Sequence, residues 1–174
     1  MRTDGSWRLC DDGIVRPAVW GEVRGGDGSW VQALFLTDCA ADRTVFSENV
    51  WRSLGLPGVT ATDRLEGVDG AATSVVVDMQ IRMARESGQT VLFKGQFAAF
   101  TDPAALDISV LGRDITNLFA LIVDRPQDVV CLLGREHDDQ EKGRSPLTQR
   151  TLYGKVQGRQ TVACFGMILQ ESLP

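Results

Sequence analysis

Alternating apolar and polar residues at positions 75–83 constrain the fold of this 174-residue chain more than any other feature. Successive side chains of a β-strand point to opposite faces, so strict alternation predicts a strand with one buried face. The inward row is Val75, Val77, Met79, Ile81 and Met83, and the outward row is Asp78, Gln80 and Arg82. The residues at 86–89 predict a turn, after which a partner strand buries Val91, Phe93, Phe97 and Ala99.

Short strand-like segments separated by turn residues continue along the chain. Strands are predicted at 14–23, 30–37, 121–123 and 129–133, and the Gly-Gly-Asp-Gly sequence at 25–28 predicts a turn. A short helix at 48–54 is expected to begin after Ser47 and to end at Gly55, and a second helix is expected at 114–120. The sequence therefore predicts an all-β fold with two short helices.

Charge and composition exclude several classes of protein. The net charge is −5, with 18 Lys and Arg against 23 Asp and Glu, which argues against nucleic-acid binding because that depends on neutralising phosphates. The sequence has no apolar run of the roughly 18 residues that a membrane helix needs. Because no apolar segment follows the first residues, we expect no secretory signal and a cytoplasmic protein with reduced cysteines.

The residues that could ligate a metal are poorly spaced for it. Cys10, Cys39, Cys131 and Cys164 include no Cys-x-x-Cys pair. The single histidine, His137, lies in the Glu-His-Asp-Asp sequence at 136–139, where a solvated charged loop is the simpler interpretation. We therefore expect no metal and no organic cofactor.

Two segments resemble the signatures of retropepsin-like aspartic proteases. At 34–46 the sequence Leu-Phe-Leu-Thr-Asp-Cys-Ala-Ala-Asp-Arg-Thr-Val-Phe is similar to the region in which apolar residues lead into that family's catalytic Asp-Thr-Gly-Ala. At 110–115 the sequence Val-Leu-Gly-Arg-Asp-Ile is similar to its second signature. The resemblance covers residues 13–134, and the layout is similar to that of the bacterial single-domain members.

The resemblance implies a closed acid-protease barrel and assigns roles to residues. Asp38 would be the catalytic carboxylate, and the active-site loop would contain Cys39, Ala40 and Ala41. Asp42, Gly112 and Arg113 would brace that loop or contact substrate. A flap hairpin would contain Gly67, Val68, Asp69, Gly70 and Ala71.

The same resemblance implies an aspartic endopeptidase that acts on peptides or proteins. Because one chain supplies one such motif, the second carboxylate would come from a second copy, in a homodimer. Cys39 and Ala40 replace the family's Thr and Gly, which leaves open a weak or inactive pseudoprotease that binds peptides or dimerises.

The sequence suggests three parts: an N-terminal arm at 1–12, the retropepsin-like domain at 13–134, and an extension at 135–174. The extension begins with a highly charged stretch and contains a strand-like segment at 161–169. Residues 145–174 are expected either to add a strand to the dimer interface or to cover the active-site groove.

Overall fold

The computed structural model describes residues 2–61, 65–67, 70–134, 151–152 and 167–171. Their helices are α1 (Glu48–Leu54) and α2 (Arg113–Thr116). The strands are β1 (Arg2–Leu9), β2 (Val15–Arg24), β3 (Trp30–Thr37), β4 (Val45–Phe46), β5 (Val59–Thr60), β6 (Leu65–Gly67), β7 (Gly70–Ala72), β8 (Ser74–Ala84), β9 (Thr90–Phe100), β10 (Ser109–Leu111), β11 (Phe119–Asp124), β12 (Val129–Gly134), β13 (Thr151–Leu152) and β14 (Met167–Glu171).

Six of these strands close into a barrel. The order is β2-β3-β10-β4-β9-β8, and β8 pairs back onto β2. Most of these ladders are antiparallel, but β3 and β10 are parallel, as are β4 and β9. The predicted all-β closed barrel is confirmed, and the described residues contain two short helices, as expected.

The barrel interior contains the residues that the alternating pattern selected. Val75, Val77, Met79, Ile81 and Met83 of β8 are buried, as are Val91, Phe93, Phe97 and Ala99 of β9. Phe46 lies between two aromatic neighbours, with ring centroids 5.4 Å from Phe35 and 6.0 Å from Phe97 in edge-to-face contact. This packing holds β3, β4 and β9 around one core.

A smaller sheet extends from the barrel through β1. The C-terminal half of β1 pairs with β2, and its N-terminal half pairs with β12, which in turn pairs with β11. At the bend, a Cβ on Gly5 would lie 2.4 Å from the Ala18 carbonyl oxygen, so only glycine fits there. Most of the arm predicted at 1–12 is thus strand, and the three-part division of the chain stays a prediction.

The predicted second helix at 114–120 is wrong in extent. The helix α2 covers four residues, Arg113–Thr116, and Phe119 already belongs to β11. Phe119 pairs with Gly134 and packs edge-to-face on Phe93, with centroids 6.0 Å apart. Strand pairing and aromatic burial outweigh the local helical preference at this point.

The C-terminal extension contributes strand in its described part. The predicted segment at 161–169 overlaps β14, which pairs antiparallel with β9 from Val91 to Lys94, while residues 161–166 lie outside the described residues. In the described parts of the chain, no helix is long and apolar enough to cross a membrane.

Candidate active site

Asp38 follows the last residue of β3. The strands β3 and β10 run parallel with Phe35 opposite Ser109 and Thr37 opposite Leu111. The backbone N–H of Asp38 then donates to the Leu111 carbonyl oxygen at 3.1 Å. Because Phe35 and Leu111 are fully buried and Asp38 is exposed, the core strand delivers a carboxylate to the surface at a fixed point.

The carboxylate of Asp38 is held by its own loop. Its Oδ1 accepts hydrogen bonds from the backbone N–H of Ala40 at 2.8 Å and of Ala41 at 3.3 Å. Within the described residues, no group donates to Oδ2. One oxygen is therefore oriented by the backbone, and the other is left for water or a ligand.

The rest of the predicted active-site loop is accessible. Cys39 is an exposed free thiol, and Ala40 is exposed beside it. Ala41 is half-buried, and its carbonyl oxygen accepts from the Arg113 backbone N–H at 2.8 Å. Two backbone hydrogen bonds thus join the segments that the sequence singled out: one at Asp38 and one at Ala41.

Gly112 lies where these two segments come closest. A Cβ there would be 2.3 Å from the Arg43 carbonyl carbon, 2.4 Å from its oxygen and 2.8 Å from the Thr44 nitrogen. All three atoms are backbone, so no side-chain rotation would relieve the clash. The structure therefore requires glycine for space rather than for backbone angles.

A buried hydrogen-bond network at Thr44 completes the connection. The Thr44 hydroxyl donates to Asp114 Oδ1 at 2.7 Å and accepts from the Gly112 N–H at 3.1 Å. The Thr44 N–H also donates to the Asp114 carboxylate at 2.9 Å. Close by, the hydroxyl of fully buried Ser109 accepts from the Ser47 N–H at 3.1 Å.

Burial changes the acidity of this network. Loss of hydration raises the pKa of the partly buried Asp114 carboxyl, while hydrogen bonds from Thr44 and Ile115 and the nearby Arg43 charge act in the opposite direction. Sequence reasoning missed Thr44 and Asp114 as members of the site. The sequence pattern that could have identified them is a Thr directly before the apolar strand β4 and an Asp two residues after Gly112.

Asp42 and Arg113 form an ion pair across the two segments. Their side chains are 76% and 50% exposed, so solvent screens the attraction and the pair adds little stability. Its geometry fits the predicted bracing role, which stays a prediction along with the alternative of substrate contact.

A hairpin is present where the flap was predicted. The strands β6 and β7 pair antiparallel with Leu65 opposite Ala72 and Gly67 opposite Gly70. Val68 and Asp69 lie outside the described residues, so the hairpin is defined by its two strands alone. Its function as a flap over Asp38 is not tested by this geometry.

The sequence also raised the possibility of a metal site, which the described residues do not contain. His137 lies outside the described residues, and among the residues the structure covers, no group of His, Cys, Asp and Glu has the geometry to hold a metal ion. Cys10 and Cys131 are buried free cysteines in the β1 and β12 region.

No family model matches this sequence, and no curated protein matches it. Several solved structures are similar to it, and two of them, both at low identity, are described here. One is EIAV protease complexed with the inhibitor HBY-793, with 20% identity and a TM-score of 0.43, covering 59% of this chain and 86% of that one. The other is a retropepsin-like aspartic protease from Rickettsia conorii, with 16% identity and a TM-score of 0.46, covering 76% and 88% respectively.

Proposed function

We propose that this protein is an aspartic endopeptidase of the retropepsin-like type, in which the Asp38 residues of a homodimer activate one water. The observation that carries this proposal is the placement of Asp38. It is an exposed carboxylate at the end of a buried strand, with Oδ1 held by two backbone N–H groups and Oδ2 free of described protein donors.

Peptide hydrolysis by such a site needs two carboxylates that share one proton. Like charges a few ångströms apart cannot both ionise easily, so one carboxyl stays protonated. The ionised partner accepts a proton from the bound water while the water oxygen attacks the scissile carbonyl carbon. The protonated partner donates a hydrogen bond to the carbonyl oxygen. The carboxyl that took the water proton then donates it to the amine nitrogen as the carbon–nitrogen bond breaks, which releases the acid and amine products.

The surrounding contacts support this use of Asp38. The Asp38–Leu111 and Ala41–Arg113 backbone bonds hold the loop at both ends, and positioned catalytic groups need such restraint. Gly112 permits the close approach, and we assign the Asp42–Arg113 pair to bracing the loop. The β6–β7 hairpin is proposed as the flap, with Gly67 and Gly70 at the two ends of its turn.

We expect the enzyme to follow the bacterial single-domain plan and to act in the cytoplasm on peptide or protein substrates. No metal or organic cofactor takes part in the proposed reaction. The extension at 135–174 is proposed as an addition to the catalytic domain.

A second candidate function is a pseudoprotease that binds peptides or dimerises. It is favoured by the loop itself, where a thiol at Cys39 and a methyl at Ala40 both face solvent beside the carboxylate. A thiol is a weaker hydrogen-bond partner than a hydroxyl, and a methyl occupies space near the water site.

The test of the proposed function is cleavage of a panel of unfolded proteins between pH 3.5 and 7.5 by wild type and Asp38→Asn. We expect cleavage by wild type alone, because Asn cannot accept the water proton. Equal residual cleavage by both proteins would assign the activity to a contaminant. No cleavage by either protein would favour the pseudoprotease.

A double substitution separates a weakened enzyme from a binding module. Restoring the family residues with Cys39→Thr and Ala40→Gly is expected to raise cleavage well above wild type and to leave folding unchanged, since both side chains are exposed. No gain, together with peptide binding by wild type, would support the second candidate.

A further inference from the structure

We infer that Asp114 is a positioning residue for the catalytic carboxylate, and that it acts on Asp38 through Thr44 and the peptide group between Leu111 and Gly112. This inference rests on the proposed function, because it assigns a further residue to that same site. The described hydrogen bonds of Asp114 go to Thr44 and to its own helix, so its effect on Asp38 depends on the groups that lie between them.

Three hydrogen bonds connect Asp114 to the backbone of Asp38. Asp114 Oδ1 accepts from the Thr44 hydroxyl at 2.7 Å, and the hydroxyl oxygen accepts from the Gly112 N–H at 3.1 Å. The Leu111 carbonyl oxygen accepts from the Asp38 N–H at 3.1 Å. The Leu111 C=O and the Gly112 N–H belong to one planar peptide group, so the three bonds form a continuous series.

Each bond of this series strengthens the next one. An ionised Asp114 draws the Thr44 hydroxyl proton toward itself, which makes the hydroxyl oxygen a better acceptor for the Gly112 N–H. The peptide group is then polarised, and its carbonyl oxygen becomes a better acceptor for the Asp38 N–H. The charge of Asp114 therefore acts on the backbone from which the catalytic side chain extends.

The series is buried at its centre and fixed in position. Thr44 and Leu111 are fully buried, and hydrogen bonds are electrostatically stronger in such an environment than in water. The Thr44 N–H donates to both carboxylate oxygens of Asp114 at 2.9 Å, which fixes the orientation of that carboxylate. Because Gly112 has no room for a Cβ, a displacement of Thr44 is transmitted to the strand end that carries Asp38.

The charged groups around Asp114 are few in the part of the chain that the structure describes. Burial raises the pKa of its carboxyl, while the hydrogen bonds that it accepts and the nearby Arg43 charge oppose that rise. Arg113, the preceding residue, is paired with Asp42. Of the strands that pack on α2, β10 has no charged residue and β11 has Asp124 at its far end. The raised pKa moves the ionisation of Asp114 toward the pH range of the cleavage assay.

The first test breaks the series at its centre in the full-length protein. Thr44→Val removes the hydroxyl, and we expect kcat to fall at least about tenfold with little change in KM, since a misplacement of about 1 Å in a positioned group can cost roughly 100-fold. Thr44→Ser keeps the hydroxyl and is expected to restore most of kcat. A fall in kcat that Thr44→Ser does not rescue would overturn the inference.

Thr37→Val is the matched control for these variants. Thr37 directly precedes Asp38 in the chain, but its hydroxyl donates to the Pro17 carbonyl oxygen at 3.2 Å and takes no part in the series. We expect a comparable loss in the free energy of unfolding, with kcat and its pH profile close to those of wild type. Equal falls in kcat for Thr37→Val and Thr44→Val would indicate a general loss of structure and would overturn the inference.

The second test removes the charge and keeps the shape of the side chain. Asp114→Asn retains an oxygen that accepts from the Thr44 hydroxyl. A nearby negative charge disfavours ionisation of the catalytic pair, so its removal is expected to move the alkaline limb of the kcat/KM profile to lower pH. A variant that cleaves with the wild-type profile overturns the inference and leaves the proposed function standing.

Amide proton chemical shifts test the series without any cleavage. In wild type, the shifts of the Gly112 and Asp38 amides are expected to change with the ionisation of Asp114, and this part of the change should be absent in Asp114→Asn. A wild type that shows it but cleaves nothing overturns the proposed function and leaves the connection between Asp114 and Asp38. Asp38 amide shifts that follow pH identically in the two proteins would overturn the inference, with or without cleavage.

Discussion

Substituting Gly112→Ala tests whether the two signature segments must touch. The added Cβ would lie 2.3 Å from the Arg43 carbonyl carbon, and restoring an ordinary contact of roughly 3.5 Å needs a shift of about 1 Å. The atoms that must move are backbone atoms of Arg43 and Thr44. Gly112 itself lies between Leu111 and Arg113, whose backbone hydrogen bonds hold Asp38 and Ala41. Overpacking of this kind costs about 1–3 kcal/mol, and we expect that loss in the free energy of unfolding.

Gly95→Ala is the matched control, because it adds the same methyl group at an ordinary contact distance from its neighbours. Its Cβ would be 3.9 Å from the nearest side-chain atom of Phe97, so we expect a change of less than about 0.5 kcal/mol. Urea unfolding of both variants measures the difference.

The same two variants also test the effect of Gly112 on the rate of cleavage. A displacement of about 1 Å in a positioned group can cost roughly 100-fold in rate, so Gly112→Ala is expected to lower kcat strongly even where it is fully folded. Equal stability and equal activity of the two variants would refute the reasoning that Gly112 is a close-approach position.

The other predictions concern the connection around the site. Thr44→Val should lower the free energy of unfolding in urea by about 1–3 kcal/mol, because the Gly112 N–H loses its hydrogen-bond acceptor. Thr44→Ser keeps the hydroxyl and should retain most of the wild-type stability. Equal losses in the two variants would contradict this role of the Thr44 hydroxyl. A double-mutant cycle of unfolding free energies with Asp42→Ala and Arg113→Ala should give a coupling energy below about 1 kcal/mol, which decreases as the salt concentration rises. A larger coupling energy that does not depend on salt would show that solvent does not screen the pair. Burial raises the pKa of Asp114, so the folded state binds the Asp114 proton more tightly than the unfolded chain does. The contribution of this proton to the free energy of unfolding is fully present below the unfolded pKa of about 3.9. It is lost as the pH rises through the higher pKa of the folded state. The unfolding free energy of wild type relative to Asp114→Asn should therefore fall from pH 3.5 to 7, and a rise would reverse the assigned cause.

Local signals located the helix α1 correctly but not its cap. The helix begins after Ser47 and ends at Gly55, which takes a positive φ of 60°, as the sequence predicted. Among the described residues, the buried Ser47 hydroxyl makes no capping bond and has no hydrogen-bond partner, while the Ser47 N–H donates to the Ser109 hydroxyl. Ser109 is 62 residues away in the chain, so no local rule predicts that contact.

The candidate site likewise contains some residues that the sequence identified and others that only the structure identified. A buried apolar strand ending in Asp38, and an apolar-Gly-Arg segment at 110–113, were visible as motifs. The support from Thr44 and Asp114 was not, because it depends on two residues 70 positions apart meeting in space. Polar residues in that context look like ordinary turn and helix-start residues until their partners are known.

The sequence by itself determined the class of the fold, because apolar and polar residues alternate with a period of two in β8 and β9. This alternation predicts strands that bury one face. It also determined where the carboxylate lies, at the end of the strand Trp30–Thr37. Only the tertiary structure decided that β8 returns to β2 to close the barrel, that Phe119 belongs to a strand, and that no Cβ fits at Gly112. These depend on contacts between distant segments, whose free energy outweighs any local preference.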